Sequence, residues 1–280
     1  MSVSMPVDDG RPAFAERTAL VTGGASGIGA AVVAELLRQG ARVAIADLAA
    51  SRDDAGVQVA PLDSERVMFV ELDVTDDDAV ARAFDAVEGR WGLVDLLVTS
   101  AGIDSHPAIT TRVAMHALTP EQWDFVMDVN LVGTFSCCRV FAERLIAASL
   151  PGTIVTLSSL AARKPKGGVY SVSKAGVWML TRVLAAELGP HGIRVNTVAP
   201  GLIDTPMLRR RTELGGGGGR RGDDPASYYA ADIARLPLRR LGTVDEVADT
   251  ILYLSGSSSS YITGSLLSPD GGFATVSGGG

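Results

Sequence analysis

A tyrosine and a lysine four residues apart, Tyr170 and Lys174, are the side chains of this sequence best suited to moving a proton. On a helix, residues at this spacing lie on one face. A free tyrosine titrates near ~10, but an ammonium group held beside it favours the phenolate and lowers its pKa. The pair then becomes a proton-transfer group for neutral pH. The same spacing also describes a surface tyrosine beside a solvated lysine, so its meaning depends on the residues upstream.

A glycine-rich turn at 22–29 lies upstream, between an apolar run at 19–21 and a helical pattern. Its glycines, Gly23, Gly27 and Gly29, let the backbone turn tightly and approach a pyrophosphate. The amides and the positive dipole of the following helix N-terminus would meet the charge of that group. The turn therefore indicates a dinucleotide site.

The glycine turn and the Tyr-x-x-x-Lys pair together resemble the short-chain dehydrogenase/reductase family in its short, one-domain form, whose glycine pattern is T-G-x-x-x-G-x-G. The resemblance runs from about Arg17 to Phe273, with several motifs in the family's order. It implies an α/β fold, a single-domain Rossmann-type doubly wound parallel sheet with helices on both faces. The alternation of strand and helix patterns predicts the same architecture, with the cofactor crevice at the carboxyl ends of the strands. We expect a flexible leader at 1–15 and one catalytic domain at 16–275.

An acidic residue, Asp47, ends the apolar run 42–46, about 20 residues beyond the glycine turn. A carboxylate at this place would accept hydrogen bonds from both hydroxyls of the adenosine ribose and repel a 2′-phosphate. No Lys or Arg lies in the glycine turn or directly after Asp47 to receive that phosphate. The sequence therefore favours NAD over NADP.

The family resemblance places the other cofactor contacts mainly at the ends of strands. The residues that it implies are Ser26 and Ile28 in the turn, Leu48 after Asp47, Asp73 and Val74 beside the adenine, Ser100, Ala101 and Gly102 after the fourth strand, Pro200, Gly201, Ile203 and Thr205 near the nicotinamide, and Tyr170 and Lys174. Thr99 and Ser100 stand where relatives usually carry two asparagines. Their hydroxyls could make some of those hydrogen bonds, with shorter reach.

The resemblance also implies roles for four catalytic residues. Tyr170 would give or take the hydroxyl proton, and Ser159 would hydrogen-bond the substrate oxygen, with Ser158 as the alternative. Lys174 would bond the nicotinamide ribose and lower the pKa of the tyrosine. Asn130, in a helix predicted from 121 to 149, would use its side chain to hold a water that connects the lysine to solvent.

The segment 207–236 is rich in glycine and includes five consecutive glycines at 215–219. Such composition predicts a mobile substrate loop without a rigid helix, either a lid or a passive insertion. Closure of a lid would bring Leu202, Met207 and Leu208 against the substrate and favour an apolar or cyclic alcohol over a charged one. The arginines at 209–211 and 220–221 are interpreted as solvated loop charge.

Composition narrows the range of partners. A chain of 280 residues with 46% hydrophobic residues suits one α/β domain with a full core. The formal net charge of -7 argues against nucleic acid and anionic membranes as partners. Adjacent cysteines, Cys137 and Cys138, supply neither a disulfide framework nor a metal site, and no apolar run approaches a membrane span. We expect a soluble cytoplasmic protein without a metal.

The resemblance, together with Asp47, implies an NAD-dependent oxidoreductase that interconverts a small-molecule secondary alcohol and a ketone by hydride transfer. One alternative is an NADPH-dependent 3-oxoacyl-thioester reductase, which Asp47 disfavours. Another is a non-catalytic dinucleotide-binding scaffold or sensor. By analogy with the family, we expect a homotetramer formed through the predicted helices 121–149 and 170–189.

Overall fold

The sheet is built entirely from parallel strands in the order β3-β2-β1-β4-β5-β6-β7. The computed structural model describes residues 13–53, 64–109, 113–164, 167–214, 220 and 222–276. Its strands are β1 (Thr18–Thr22), β2 (Arg42–Asp47), β3 (Val67–Glu71), β4 (Leu96–Thr99), β5 (Gly152–Leu157), β6 (Ile193–Val198) and β7 (Leu266–Leu267). The strand order reverses between β1 and β4, which is where a doubly wound sheet opens its ligand crevice. The predicted fold class is confirmed.

Helices connect the strands and cover both faces of the sheet. They are α1 (Gly27–Arg38), α2 (Asp77–Trp91), α3 (Pro120–Met127), α4 (Gly133–Ala148), α5 (Val169–Leu188), α6 (Pro206–Leu214), α7 (Pro225–Tyr228), α8 (Ala230–Ile233), α9 (Val244–Ser255) and α10 (Phe273–Val276). One apolar core joins the sheet to α1 and α9, and a second joins it to α2, α4 and α5. Successive side chains of β1 pack into the two cores alternately, since Val21 belongs to the first core and Leu20 to the second. The strands are therefore apolar on both faces, as expected for a covered parallel sheet.

The helix predicted from 121 to 149 is interrupted by a wider π-helical turn at Asp128–Val132, between α3 and α4. The interruption is a finding that the sequence pattern did not indicate. Asn130 lies in this turn and is fully buried. A Cβ atom on the next glycine, Gly133, would lie 2.6 Å from Cγ2 of Val74, so glycine allows the close approach of α4 to the loop after β3. Such turns recur at functional sites.

The stretch Pro120–Ala148 is the one helical stretch in the described ranges that is long and apolar enough to cross a membrane by length and composition. The sequence-based expectation that no apolar run has this length overlooked it. Within the molecule, 56% of its apolar window is buried. Phe141 and Leu145 belong to the core that α4 forms with the sheet. Packing in the core therefore accounts for its apolar composition.

The segment 207–236 begins as a helix, which corrects the prediction that its composition excludes one. Helix α6 opens it, and α7 and α8 follow. Leu208, Tyr228 and Leu236 are buried, so much of the segment packs against the rest of the fold. The glycine run 215–219, on which the lid hypothesis depends, lies outside the described residues.

Candidate active site

A cleft of about 1590 Å³ follows the edge formed by the carboxyl ends of the strands. All the site residues predicted from the sequence line it except Gly29 and Asn130, which lie directly behind its wall. The cleft exceeds the ~300–1,000 Å³ usual for small ligands, as a site for a dinucleotide together with a substrate requires. It contains both the glycine turn and the Tyr170–Lys174 pair.

The glycine turn has a backbone that larger residues could not adopt. Gly23 has a φ of +64°, and a Cβ there would lie 2.7 Å from the amide nitrogen of Ala101. Gly27 also has positive φ, at +54°, and a Cβ on Gly29 would overlap the carbonyl oxygen of Gly23. Ser26, which caps α1, makes no side-chain capping bond, so the amides of the first turn face the cleft without a protein side chain on them. This arrangement suits a pyrophosphate.

Asp47 is oriented toward the glycine turn by two backbone hydrogen bonds. Its Oδ2 accepts from the amide of Ala25 at 3.0 Å and its Oδ1 from the amide of Leu48 at 2.8 Å. The basic residues that line the cleft are Arg163, Lys164, Lys174, Arg211 and Arg235. In the described ranges, none comes from the glycine turn or from the β2–β3 region, so Asp47 gives this end of the cleft a negative charge. These residues fit an adenosine ribose with free hydroxyls.

Asn130 joins three elements through its buried amide. Its Oδ1 accepts from the amide of Ile103 at 2.8 Å. Its Nδ2 donates to the carbonyl of Ile103 at 2.8 Å and to Oγ of Ser173 at 2.9 Å. Both donor hydrogens are therefore used within the protein, and the predicted bond to a water could be made only by the remaining lone pair of Oδ1. The geometry assigns the side chain first to positioning the loop after β4 and helix α5.

The structure separates the two candidate serines. Oγ of Ser158 is buried and donates to the main-chain carbonyl of Lys174 at 2.7 Å, so it connects β5 to α5. Ser159 lies in the cleft, where its hydroxyl accepts from the amide of Ala161 at 3.1 Å and lowers the pKa of Tyr170. Ser159 is therefore the serine placed to meet a substrate oxygen, and the alternative, Ser158, has a structural role.

Lys174 is buried, and its Nζ donates to the carbonyl of Leu157 at 2.9 Å. Burial lowers the pKa of its ammonium from 10.5 to about 8. A Cβ on Gly102 would lie 3.2 Å from Nζ and 3.2 Å from Oδ1 of Asn130, so a larger residue would press on both groups. Nζ lies 5.9 Å from the centre of the Tyr170 ring.

The pKa of Tyr170 is raised, chiefly because the side chain is buried. The hydrogen bond from Ser159 and the charge of Arg211 lower it, whereas the charge of Asp104 raises it. The structure therefore differs from the expectation that Lys174 lowers this pKa. Desolvation is the physical reason, since withdrawal from water, nearly complete for Lys174 and partial for Tyr170, favours the neutral form of each.

Comparisons with known proteins agree with this geometry. A family model described as "Enoyl-(Acyl carrier protein) reductase" matches residues 23–274. Cis-4-hydroxycyclohexanecarboxylate dehydrogenase of Sinomonas cyclohexanicum is 38% identical over 266 residues, covering 94% of this chain and 99% of the relative. A 3-oxoacyl-[acyl-carrier-protein] reductase of Thermotoga maritima is 35% identical over 258 residues, covering 91% and 97%. The crystal structure of levodione reductase superposes with a TM-score of 0.82 at 28% identity and covers 94% of this chain and 99% of that one.

The chain belongs to the short-chain dehydrogenase/reductase family. The resemblance stated from its motifs is confirmed. Its relatives by sequence include secondary-alcohol dehydrogenases and reductases, which supports oxidoreductase activity.

This short-chain dehydrogenase/reductase contains cysteines that take no part in the site. Cys137 and Cys138 are both free and buried in α4. Burial raises the pKa of the Cys137 thiol to about 12, so it is unreactive at neutral pH. Within the described ranges, no group of three or more His, Cys, Asp or Glu side chains is placed to share a metal ion.

Two charged residues of the site were missed from the sequence. Arg211 lines the cleft from α6 and pairs with Asp104, which follows β4. The sequence reading treated the arginines at 209–211 as solvated loop charge. The available signal was Pro206 in the first helical position after Thr205, which begins a helix and places 207 and 211 on one face.

Thr99 departs from the family pattern at a buried position. Its hydroxyl oxygen has no hydrogen-bond partner among the described residues. Within the described residues, this hydroxyl therefore makes none of the bonds to the sheet that were expected of it. Leaving a buried hydroxyl without a partner costs about 1–3 kcal/mol.

We expect Thr99→Val to raise the free energy of unfolding by about 1 kcal/mol, because the substitution keeps the shape and removes the unpaired hydroxyl. Urea denaturation measures the change. Thr156→Val is the matched control, since Oγ1 of Thr156 is buried and bonded to Oγ1 of Thr181 at 2.7 Å, and its loss should destabilise. Equal destabilisation by both substitutions would show that Thr99 has a partner.

Burial also gives Lys174 a pH-dependent effect on stability. The folded protein releases the lysine proton near pH 8, whereas the unfolded chain keeps it until about pH 10.5. The unfolded state thus binds more protons in this window, and the free energy of unfolding rises with pH across it.

We expect the free energy of unfolding of the wild type, relative to Lys174→Met, to rise by roughly 1–3 kcal/mol between about pH 7 and pH 10. Chemical denaturation without added nucleotide measures it. Lys164→Met is the control, because that lysine is not buried. Parallel pH profiles for wild type and Lys174→Met would contradict the lowered pKa.

Proposed function

We propose that this protein is an NAD-dependent dehydrogenase that interconverts a secondary alcohol and a ketone by hydride transfer. One observation carries the proposal: Ser159, Tyr170 and Lys174 line the same cleft as a carboxylate, Asp47, at the end of β2. The first three residues can handle the proton of a hydroxyl group, and Asp47 suits a ribose without a 2′-phosphate. When bound, NAD supplies the hydride chemistry.

The protein side chains perform the proton chemistry in this proposal. In the alcohol direction, Tyr170 accepts the hydroxyl proton while Ser159 donates a hydrogen bond to the substrate oxygen. In the carbonyl direction, the same phenol returns the proton and Ser159 stabilises the charge that develops on the oxygen. Lys174, with a pKa of about 8, is available in both protonation states near neutral pH and can pass a proton onward.

One relative supports a cyclic alcohol as the substrate class. The Sinomonas cyclohexanicum relative is named for cis-4-hydroxycyclohexanecarboxylate, a cyclic secondary alcohol, and it aligns with 94% of this chain. Leu202, Met207 and Leu208 line the cleft and offer apolar surface to a ring.

The second candidate is an NADPH-dependent 3-oxoacyl-thioester reductase, which the similarity to the Thermotoga maritima reductase favours. The same serine, tyrosine and lysine would serve it. Asp47 opposes this candidate, because its carboxylate faces the turn where a 2′-phosphate would lie. A non-catalytic scaffold or sensor would have no use for a serine and a tyrosine that line one cleft together with a buried lysine.

We also propose a cytoplasmic homotetramer. Exposed apolar side chains cluster on the helices expected to meet in the assembly. They are Phe135 and Ile146 on α4 and Val172, Met179 and Val183 on α5. Burial of these side chains against other copies would remove an apolar surface from water. The free cysteines agree with a reducing compartment.

We expect Tyr170→Phe to lower kcat by ~10²–10⁴-fold and to leave NADH affinity nearly unchanged, because it removes only the proton-transfer group. NADH formation from a panel of cyclic secondary alcohols measures kcat, and fluorescence titration measures affinity. Tyr253→Phe, on the exposed side of α9, is the control. A Tyr170→Phe variant that keeps a tenth of wild-type activity would refute the assignment.

We expect Asp47→Ala to weaken NAD binding by roughly 1–3 kcal/mol and to narrow the preference for NAD over NADP, because charge-assisted hydrogen bonds are lost. Asp47→Asn removes the negative charge but keeps an oxygen that can accept from the amide of Ala25. It therefore distinguishes the effect of the charge from the effect of the hydrogen bond to the glycine turn. Titration with both nucleotides is the measurement. A wild type that prefers NADP would overturn the cofactor proposal and favour the thioester reductase.

A further inference from the structure

Helix α6 places a guanidinium group beside the proposed reaction centre. Arg211 and Met207, one turn apart, both line the cleft, together with Tyr170 and Tyr229. The neighbouring Arg210 does not line it and is exposed. The charge of Arg211 therefore faces the substrate end of the cleft.

Asp104, the acidic partner of Arg211, does not use the hydrogen-bond donors of the guanidinium. Its Nε lies 3.6 Å from Oδ2 of Asp104, whose side chain is only 10% exposed. That separation exceeds a hydrogen bond. The Arg211 guanidinium makes no hydrogen bond to any described residue, so Asp104 holds the group by charge and the N–H donors have no acceptor within the described ranges.

The location of Arg211 also has an electrostatic consequence inside the cleft. Its charge lowers the pKa of both Tyr170 and Tyr229. Both tyrosines are partly exposed and line the same cleft as Arg211, so this charge lies on the side of the cleft where the substrate oxygen must meet Tyr170. An anionic group on the same small substrate molecule is therefore within reach of this guanidinium.

The other cations of the cleft have aromatic partners or neighbouring acids. Nζ of Lys164 lies 3.2 Å from the centre of the Phe273 ring, and the guanidinium of Arg163 lies over Trp178 at 5.3 Å. Two acids, Asp104 and Asp232, line the cleft alongside Arg211 and Arg235. The local charge is therefore balanced, which suits a single carboxylate better than a phosphate dianion.

We propose that Arg211 binds a carboxylate carried by the substrate, so that the alcohol oxidised here is a hydroxy acid. This inference rests on the proposed function and names its substrate class. A guanidinium presents parallel N–H donors that match the two oxygens of a carboxylate. Asp104 positions the guanidinium in the absence of substrate. The substrate carboxylate would then compete with Asp104 for the guanidinium. The expectation that a lid favours uncharged alcohols is replaced by recognition of a ring that carries one negative charge.

The test compares an acid with its neutral counterpart. With NAD, we expect kcat/KM for 4-hydroxycyclohexanecarboxylate to exceed that for its carboxamide by roughly 10- to 100-fold, the value of a charge-assisted hydrogen bond. In Arg211→Gln this preference should vanish because activity on the acid falls, whereas activity on the carboxamide stays. Arg211→Lys should keep part of it, since the charge remains without the paired donors. Arg210→Gln, on the same helix, should behave as wild type.

Two failures can be told apart. Equal kcat/KM for acid and carboxamide, a ratio unchanged in Arg211→Gln, or a preference for a phosphorylated alcohol would overturn the carboxylate site and leave the dehydrogenase proposal intact. No turnover of any secondary alcohol with NAD would overturn the proposed function. In that case, calorimetry measures the affinity of the Arg211→Gln and Arg210→Gln variants for the acid in the presence of NADH, and this comparison tests the carboxylate site. Weaker binding to Arg211→Gln than to Arg210→Gln supports it, and equal binding refutes it.

Discussion

The buried amide of Asn130 is the interaction on which the arrangement of the active site depends. It bonds to both backbone groups of Ile103 and to the hydroxyl of Ser173, which lies between Tyr170 and Lys174 in α5. Removing a buried amide of this kind leaves several polar groups unpaired, at about 1–3 kcal/mol each. The π-helical turn brings Asn130 into this position. The positions of tyrosine and lysine relative to the sheet are thus set by a residue that does not line the cleft.

Burial sets the protonation of the two proton-handling groups in opposite directions. It raises the pKa of Tyr170 and lowers that of Lys174, and both changes favour a neutral pair. Ser159 and Arg211 partly reverse the effect on the tyrosine. In the proposed mechanism, the proton would move between two groups whose charged forms are disfavoured by the same environment. Nearby hydrogen-bond donors and positive charge would reduce the cost of a phenolate.

Features that depend on neighbouring residues in the chain could be predicted from the sequence. The glycines at 23, 27 and 29 are required by one local turn, and Asp47 ends one apolar strand. Alternating strand and helix patterns predicted the doubly wound sheet, because each pattern reflects burial of its own segment. Tyr170 and Lys174 share a face because their spacing matches the helix period. The family and the fold class follow from these local signals.

Pairings between distant parts of the chain required the folded structure. Ser158 and Ser159 are adjacent, and only the position of α5 against β5 shows that the first bonds to Lys174 while the second faces the cleft. Among the described residues, the hydroxyl of Thr99 has no partner because of what surrounds the end of β4. Arg211 pairs with Asp104 because α6 lies along the cleft. Hydrogen bonds between remote segments and the desolvation of a side chain depend on which surfaces pack together. No periodic sequence pattern predicts either of them.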